Sequence, residues 1–104
     1  MSVPCDEVAR LGKGIGNPNR YRIIEALMQG SRTVGDIAEQ VDLTQPNVSQ
    51  NLKVLKEANL VIDERRGQEV FYSLNVSYMA SLLRSITEDL QNGRTPHSKK
   101  TKTT

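Results

Sequence analysis

The chain has 104 residues, of which 37% are hydrophobic and only 4% aromatic. This size suits a single domain with a modest aliphatic core, which pairing with a second copy would help to stabilise. No apolar run reaches the length of a membrane span and no signal peptide is evident, so we expect a cytoplasmic protein without a membrane partner. A single cysteine, Cys5, rules out an intrachain disulfide.

The net charge of +2 is not in itself an indication of nucleic-acid binding. Four basic residues and no acidic ones lie after Gly93, which leaves 10 basic against 12 acidic residues in the rest of the chain. We predict a folded domain over residues 1–92 and a disordered basic tail over residues 93–104, GRTPHSKKTKTT. The tail either attracts phosphates non-specifically or only keeps the chain in solution.

Two helices are predicted in the first third of the chain. The first covers residues 6–13, and the second begins with Asn17 as N-cap and Pro18 as its first helical residue. Arg20 lies in the first turn, where its charge opposes the helix dipole, so it is either an ordinary exposed arginine or a phosphate contact. Gly30 is expected to close the second helix. Its buried face is expected to comprise Tyr21, Ile23, Ile24, Leu27 and Met28.

Residues 33–59 predict two further short helices joined by a tight turn. Thr33 and Thr44 are suitable N-caps, and Pro46 lies in the first turn of the later helix, where its missing N–H does no harm. The earlier helix places Val34, Ile37, Ala38 and Val41 on one face, Asp42 and Leu43 form the turn, and the later helix places Val48, Leu52 and Leu55 on one stripe. This layout is a helix-turn-helix, whose second helix enters the DNA major groove.

The later helix has a polar face that a folded core would not require. Asparagine and glutamine carry paired donors and acceptors that match the major-groove edge of adenine. Such a face is otherwise a solvated surface, although lysine, glutamate or alanine would form a better helix there. The candidate DNA contacts on this face are Gln45, Asn47, Ser49, Gln50 and Lys53.

A β-hairpin is predicted directly after this helix. Residues 60–62 and 70–74 are rich in β-forming side chains and flank a polar loop, residues 63–69, which contains Gly67. A hairpin at this position is a wing, whose Arg65, Arg66 and Gln68 would contact phosphates or the minor groove. The alternative is a tip that is merely soluble, because three acidic residues lie in the same loop.

The last predicted helix carries an apolar stripe at helical spacing. The stripe is long for a domain of this size, so we expect it to form a dimer interface rather than to pack only within its own chain. Its members are Val76, Met79, Leu82, Leu83, Ile86 and Leu90.

Three segments together resemble the ArsR/SmtB family of bacterial and archaeal winged-helix repressors: GNPNRYRIIEAL, TVGDIAEQVDLTQPNVSQNLKVLKEANLV and RRGQEVFYSLN. The resemblance covers roughly residues 11–86, with the motifs in the family's order. It implies a mainly α fold with a small β-hairpin, a winged helix-turn-helix. It also implies a homodimer paired through the N- and C-terminal helices, repression by operator binding, and release of DNA when an inducer arrives.

The chain departs from the family pattern where many members bind metals. The first helix of the motif has no cysteine, and the last helix offers only Glu88 and Asp89, which lie on different faces. The single histidine, His97, falls in the predicted tail. Because transition-metal sites need several converging ligands, we predict no metal sensing at either position and no cofactor. Cys5, expected just before the first helix, is either an incidental thiol or a redox-sensitive one that pairs across the dimer.

The patterns therefore predict a sequence-specific DNA-binding regulator, a homodimeric repressor that binds a palindromic operator in double-stranded DNA. An enzyme is not expected, since the predicted fold contains no histidine, no nucleophile paired with a base and no phosphate-binding glycine loop. The alternative is a winged-helix protein-interaction module without specific DNA binding. A repressor that has no inducer is also compatible with the sequence, which does not identify an effector.

Overall fold

The structure, a computed structural model, describes residues 5–93. Within these residues the chain forms five helices and one antiparallel hairpin. The elements in chain order are α1 (Cys5–Ile15), α2 (Pro18–Leu27), α3 (Val34–Val41), α4 (Gln45–Glu57), β1 (Val61–Arg66), β2 (Glu69–Leu74) and α5 (Val76–Asn92). This confirms a mainly α fold with a small β-hairpin. The predicted tail from residue 94 onward, with His97, lies outside the described residues.

The core is aliphatic and lies where α2, α3 and α4 meet beneath the start of the hairpin. Leu43, in the turn between α3 and α4, packs against this core as a partly buried residue. No helix within residues 5–93 is both long enough and apolar enough to span a membrane. The apolar side chains that are almost wholly buried are Ile23, Ile24, Ile37, Val48, Leu52, Leu55, Leu60 and Val61.

The predicted buried face of α2 is wrong at two positions. Tyr21 is 41% exposed and Met28 is 60% exposed, whereas Ala26 is buried. Tyr21 and Met28 lie at i and i+7 relative to each other, with the exposed Glu25 between them, so all three share the outward side of the helix. Met28 is also the C-cap, beyond the last helical residue.

Local side chains begin the helices as predicted. Asn17 Oδ1 accepts hydrogen bonds from the backbone N–H groups of residues 19 and 20, at 3.0 and 3.1 Å. Thr33 and Thr44 each accept one from the N–H three residues further on, at 3.2 Å in both cases. The ends of α3 and α4 are followed by Asp42 and Asn59 in the left-handed region, with φ of 58° and 64°. These residues set where α3 and α4 begin and end.

The hairpin is longer and its turn tighter than predicted. Residues 63–66 belong to β1, and Arg66 pairs with Glu69, so that the connection consists only of Gly67 and Gln68. Gly67 has φ of 63° while Gln68 does not have a positive φ, which is the pattern of a type II′ turn. Polar composition alone suggested a loop, but cross-strand hydrogen bonds extend the strands through these residues.

A short third segment pairs with the hairpin at its other edge. Arg32 N–H donates to the carbonyl of Tyr72 at 3.0 Å, and the N–H of Tyr72 donates to the carbonyl of Arg32 at 2.8 Å. This bridge joins the chain just before α3 to β2. The wing is therefore attached to the helix-turn-helix by backbone hydrogen bonds.

The apolar stripe on α5 divides into a packed side and an exposed side. Leu82 is buried against the core, and Met79 and Ile86 pack on it as partly buried residues. Val76, Leu83 and Leu90 are 65%, 49% and 75% exposed. These three residues recur every seven positions, so they form a continuous apolar strip along the outer side of α5 within the described chain.

Helix α5 is also joined to α1 by a polar contact. The hydroxyl of Tyr78 donates to Glu7 Oε1 at 3.0 Å. Burial of the phenol and, after it, the hydrogen bond to the Glu7 carboxylate raise the pKa of Tyr78 above its usual value of 10.0. The contact links the two terminal helices.

Candidate nucleic-acid interface

Helix α4 separates a buried stripe from a fully accessible polar face. Val48, Leu52 and Leu55 are at most 1% exposed, which fixes the rotation of the helix about its own axis. All five side chains predicted to contact DNA on this helix are exposed. They are Gln45, Asn47, Ser49, Gln50 and Lys53.

Asn51, which the sequence analysis did not select, connects this face to α2. Its Nδ2 donates to Asn47 Oδ1 at 2.7 Å and to the Asn47 carbonyl at 3.0 Å. Its Oδ1 accepts a hydrogen bond from Arg20 Nη1 at 3.2 Å. The i, i+4 spacing of the two asparagines was visible in the sequence, but the arginine comes from a different helix.

Arg20 was predicted to contact phosphate, and the structure gives its guanidinium partners within the protein. Besides Asn51, it donates from Nη2 to the carbonyl of Lys13 at the end of α1, at 3.0 Å. Its Nε is buried. Arg20 thus joins α1, α2 and α4, and a phosphate contact by this residue stays a prediction. The neighbouring Arg22 likewise donates to a carbonyl, that of Val41 at the end of α3.

The wing presents its predicted residues at the tip, where Arg65, Arg66 and Gln68 are all exposed. Arg66 is held by its own strand pair, since it forms an ion pair with Glu64 at 3.1 Å and lies 4.5 Å from the centre of the Phe71 ring. Arg65 makes no hydrogen bond or ion pair with any residue between 5 and 93. The two neighbouring arginines therefore differ in how free they are to bind an anion.

One lysine between α4 and the wing already forms an ion pair within the protein. Lys56 Nζ lies 2.8 Å from Asp63 Oδ2 and joins the last turn of α4 to β1. The hydrogen bond with Asp63, reinforced by its charge, raises the pKa of Lys56. The same hydrogen bond is the main cause that lowers the pKa of Asp63. The cations left to face a ligand are Lys53 on α4 and Arg65 on the wing, among the described residues of these two elements.

The described part of the chain also bears on the predictions for metal binding and for Cys5. Within residues 5–93 no three histidine, cysteine or acidic side chains are grouped so that they could hold a metal ion. Glu88 is exposed while Asp89 is buried, which places these neighbours on different faces as expected. Cys5 is an exposed free thiol and is the first residue of α1, not a residue before the helix as predicted. Its redox role stays a prediction.

The amino-acid sequence is similar to that of known proteins along most of the chain. Residues 17–63 match the family model described as "Bacterial regulatory protein, arsR family". The transcriptional repressor SdpR of Bacillus subtilis is 40% identical over 67 residues, which cover 64% of this chain and 74% of SdpR. The biofilm growth-associated repressor of Xylella fastidiosa is 33% identical over 86 residues, 83% of this chain and 75% of that repressor.

The fold is likewise that of solved family members. The homodimeric winged helix-turn-helix DNA-binding domain of Mb0332 from Mycobacterium bovis, a possible ArsR-family regulator, superposes with a TM-score of 0.66 at 30% identity, covering 91% of this chain and 89% of that one. This confirms the predicted winged helix-turn-helix. The motif order, the exposed face of α4 and these similarities lead to one conclusion: this chain is a member of the ArsR family of transcriptional regulators.

Proposed function

We propose that this protein is a homodimeric repressor that reads a palindromic DNA operator through α4 and steadies itself on the backbone with its wing. The observation that supports this most directly is the face of α4. Five polar or basic side chains project from a helix whose opposite side is locked into the core. Base edges in the major groove are read by such side chains on a rigid helix.

The proposed dimer follows from the outer side of α5. Val76, Leu83 and Leu90 expose large apolar surfaces at a spacing of seven residues, which suits pairing with an equivalent helix. Helix α1, which is linked to α5 by the hydrogen bond between Tyr78 and Glu7, would extend the same interface. A two-fold dimer presents two copies of α4, and we expect them to bind half-sites about one helical turn apart.

The wing is assigned a supporting role. Lys53 on α4 and Arg65 on the wing are exposed cations without an ion pair to another described residue, so we assign them to phosphates on either side of the groove. Ser49 and Gln68 can hydrogen-bond bases or phosphates, and Arg66 is assigned to the minor groove only if DNA displaces its internal partners. A regulator of this kind acts in the cytoplasm, without a catalytic role.

The second candidate function, a protein-interaction module, is favoured by charge. Ion pairing of Lys56 and Arg66 leaves the surface around α4 and the wing with few unpaired cations. Such a module would not need to distinguish one DNA sequence from another. A repressor that lacks an inducer would behave as a DNA reader in the same test, and it would differ only in its response to effectors.

The decisive experiment is binding of the full chain to its own upstream promoter DNA, measured by fluorescence anisotropy at several salt concentrations. A scrambled duplex of equal length is the DNA control. Asn47→Ala and Gln50→Ala should each weaken promoter binding by about 1–3 kcal/mol. Gln91→Ala, an exposed glutamine on α5, should bind like the wild type. Equal and steeply salt-dependent binding to both duplexes, followed by no enrichment from genomic fragments, would contradict the proposal.

A further inference from the structure

The hydrogen bonds among Arg20, Asn51 and Asn47 have a fixed direction. An amide side chain can usually be turned over, which exchanges its oxygen and nitrogen. A guanidinium can only donate, so the atom of Asn51 that faces Arg20 Nη1, at 3.2 Å, must be the oxygen. The Asn51 nitrogen then faces Asn47, and because this nitrogen can only donate, it must meet the oxygen of Asn47. One arginine thereby sets the orientation of two amides.

Asn51 uses all of its donors within the protein. Its Nδ2 has two hydrogens, and these go to Asn47 Oδ1 at 2.7 Å and to the Asn47 carbonyl at 3.0 Å. No N–H of this side chain remains for a base. Asn51, which is only partly exposed, therefore acts on DNA through its neighbour.

Asn47 is left with an outward-facing donor group. Its Oδ1 is directed along α4 towards Asn51, and its Nδ2 has no hydrogen-bond partner among residues 5–93. The residue lies in the first turn of α4 and is exposed. A bidentate contact with adenine requires the oxygen and the nitrogen of one amide to face the base together. The hydrogen bond to Asn51 already uses one of the two lone pairs of Asn47 Oδ1 and directs this oxygen along α4, whereas Nδ2 keeps both of its hydrogens for a base edge that carries acceptors.

We propose that Arg20 and Asn51 are positioning residues that hold the amide of Asn47 with its nitrogen outward, so that Asn47 selects base edges that carry acceptors. Guanine, with N7 and O6 as adjacent acceptors in the major groove, is the base that fits best. The inference rests on the proposed function, because it concerns how the same helix distinguishes one base from another. It also gives Arg20 a role in specificity that needs no contact with phosphate.

Asn51→Asp tests the direction of these hydrogen bonds. An aspartate at this position can still accept from Arg20, but it has no hydrogen to donate to Asn47. The turned-over orientation of the Asn47 amide then becomes the more stable one, because Nδ2 can donate to the new carboxylate. In that orientation Oδ1 faces the DNA. The preferred base should change from guanine to one with a donor, cytosine or adenine. Gln50→Glu is the control: it adds the same charge to the same helix but leaves the hydrogen bonds among Arg20, Asn51 and Asn47 unchanged.

The probe is a pool of random-sequence duplexes, from which wild type and variants select their preferred sites before sequencing. Asn47→Ala identifies the position that Asn47 reads, because preference there should be lost. We expect Asn51→Asp to reverse the base preference at that position by on the order of tenfold and to leave the other positions as they are. Gln50→Glu should weaken binding and alter only its own position.

The outcomes separate this inference from the proposed function. If wild type enriches a site and Asn51→Asp enriches the same site with the same base at the Asn47 position, the positioning role is overturned while DNA reading stands. If wild type enriches no site, both are overturned. Circular dichroism of each variant establishes that it is folded before selection.

A measurement on the unmodified protein tests the same point without any variant. In a nitrogen-15 spectrum of the free protein, the side-chain NH₂ of Asn51 should exchange slowly with water, because both of its hydrogens are bonded. The NH₂ of Asn47 should exchange rapidly. The opposite order of exchange would overturn the inference whether or not Asn51→Asp folds.

Discussion

The backbone of Gly14 lies directly against the side chain of Leu60. A Cβ atom added to Gly14 would be 2.7 Å from Leu60 Cδ1 and 3.3 Å from Leu55 Cδ2. Both leucines are fully buried, so neither side chain has space to move away. Through this close approach α1 packs on the end of α4 and the entry to the hairpin.

Substitution of Gly14 and of Gly12 by alanine should therefore have opposite effects. Both glycines are in α1, but nothing lies within 4 Å of a Cβ at Gly12. Gly12→Ala should stabilise the protein by about 0.5–1 kcal/mol, because alanine loses less backbone entropy in a helix. Gly14→Ala should destabilise it by about 1–3 kcal/mol, since overpacking outweighs that gain. Thermal unfolding of both variants at one protein concentration gives the comparison. An increase in stability for Gly14→Ala would contradict the close packing.

Removal of a free cation should weaken DNA binding without changing the preferred sequence. Lys53→Ala and Arg65→Ala should each lower the affinity for every duplex and reduce the salt dependence by about one unit of slope. Arg66→Ala should have a smaller effect, because Arg66 already pairs with Glu64. Anisotropy titrations over a range of salt concentrations measure the slope. A larger loss for Arg66→Ala than for Arg65→Ala would show that DNA displaces the internal partners of Arg66.

A charge on the outer side of α5 should separate the proposed dimer. Leu83→Glu places a carboxylate in the middle of the apolar strip that includes Val76 and Leu90, and burial of an unpaired charge is strongly unfavourable. We expect sedimentation velocity to report a monomer for this variant and a dimer for the wild type. Ile62→Glu is the matched control, because Ile62 is likewise a half-exposed apolar residue, at 50%, but belongs to β1 of the wing. A dimeric Leu83→Glu protein would place the interface elsewhere.

Alkaline pH should weaken the contact between α1 and α5. Burial and the hydrogen bond to Glu7 raise the pKa of Tyr78 above its usual 10.0, so the folded state favours the neutral phenol. The resulting stabilisation is fully present while the pH is below the usual phenol pKa of 10.0. It is lost as the pH rises through the higher pKa of the folded state. The difference in unfolding free energy between wild type and Tyr78→Phe, measured with denaturant, should therefore be constant near neutral pH and begin to shrink only as the pH rises above ~10. A difference that does not depend on pH would rule out this linkage.

Features that depend on neighbouring residues could be predicted from the sequence. Thr33 and Thr44 cap their helices because the N–H group that each one bonds lies only three residues further on. Val48, Leu52 and Leu55 were predicted to be buried because helical spacing places them on one face. The helix-turn-helix, the wing and the exposed face of α4 follow from such local rules. The turn of the wing was predicted too long, because strand pairing extends further than the apolar residues do.

The sequence by itself determined which helices form and which face of α4 is polar, since periodicity and capping act over a few residues. Only the tertiary structure decided which polar side chains form hydrogen bonds with one another. Arg20 and Asn51 are 31 residues apart, and no local pattern brings the guanidinium of one to the amide of the other. The packing of α2 against α4 makes that contact, and the donor-only chemistry of arginine then sets which atom of Asn47 faces outward.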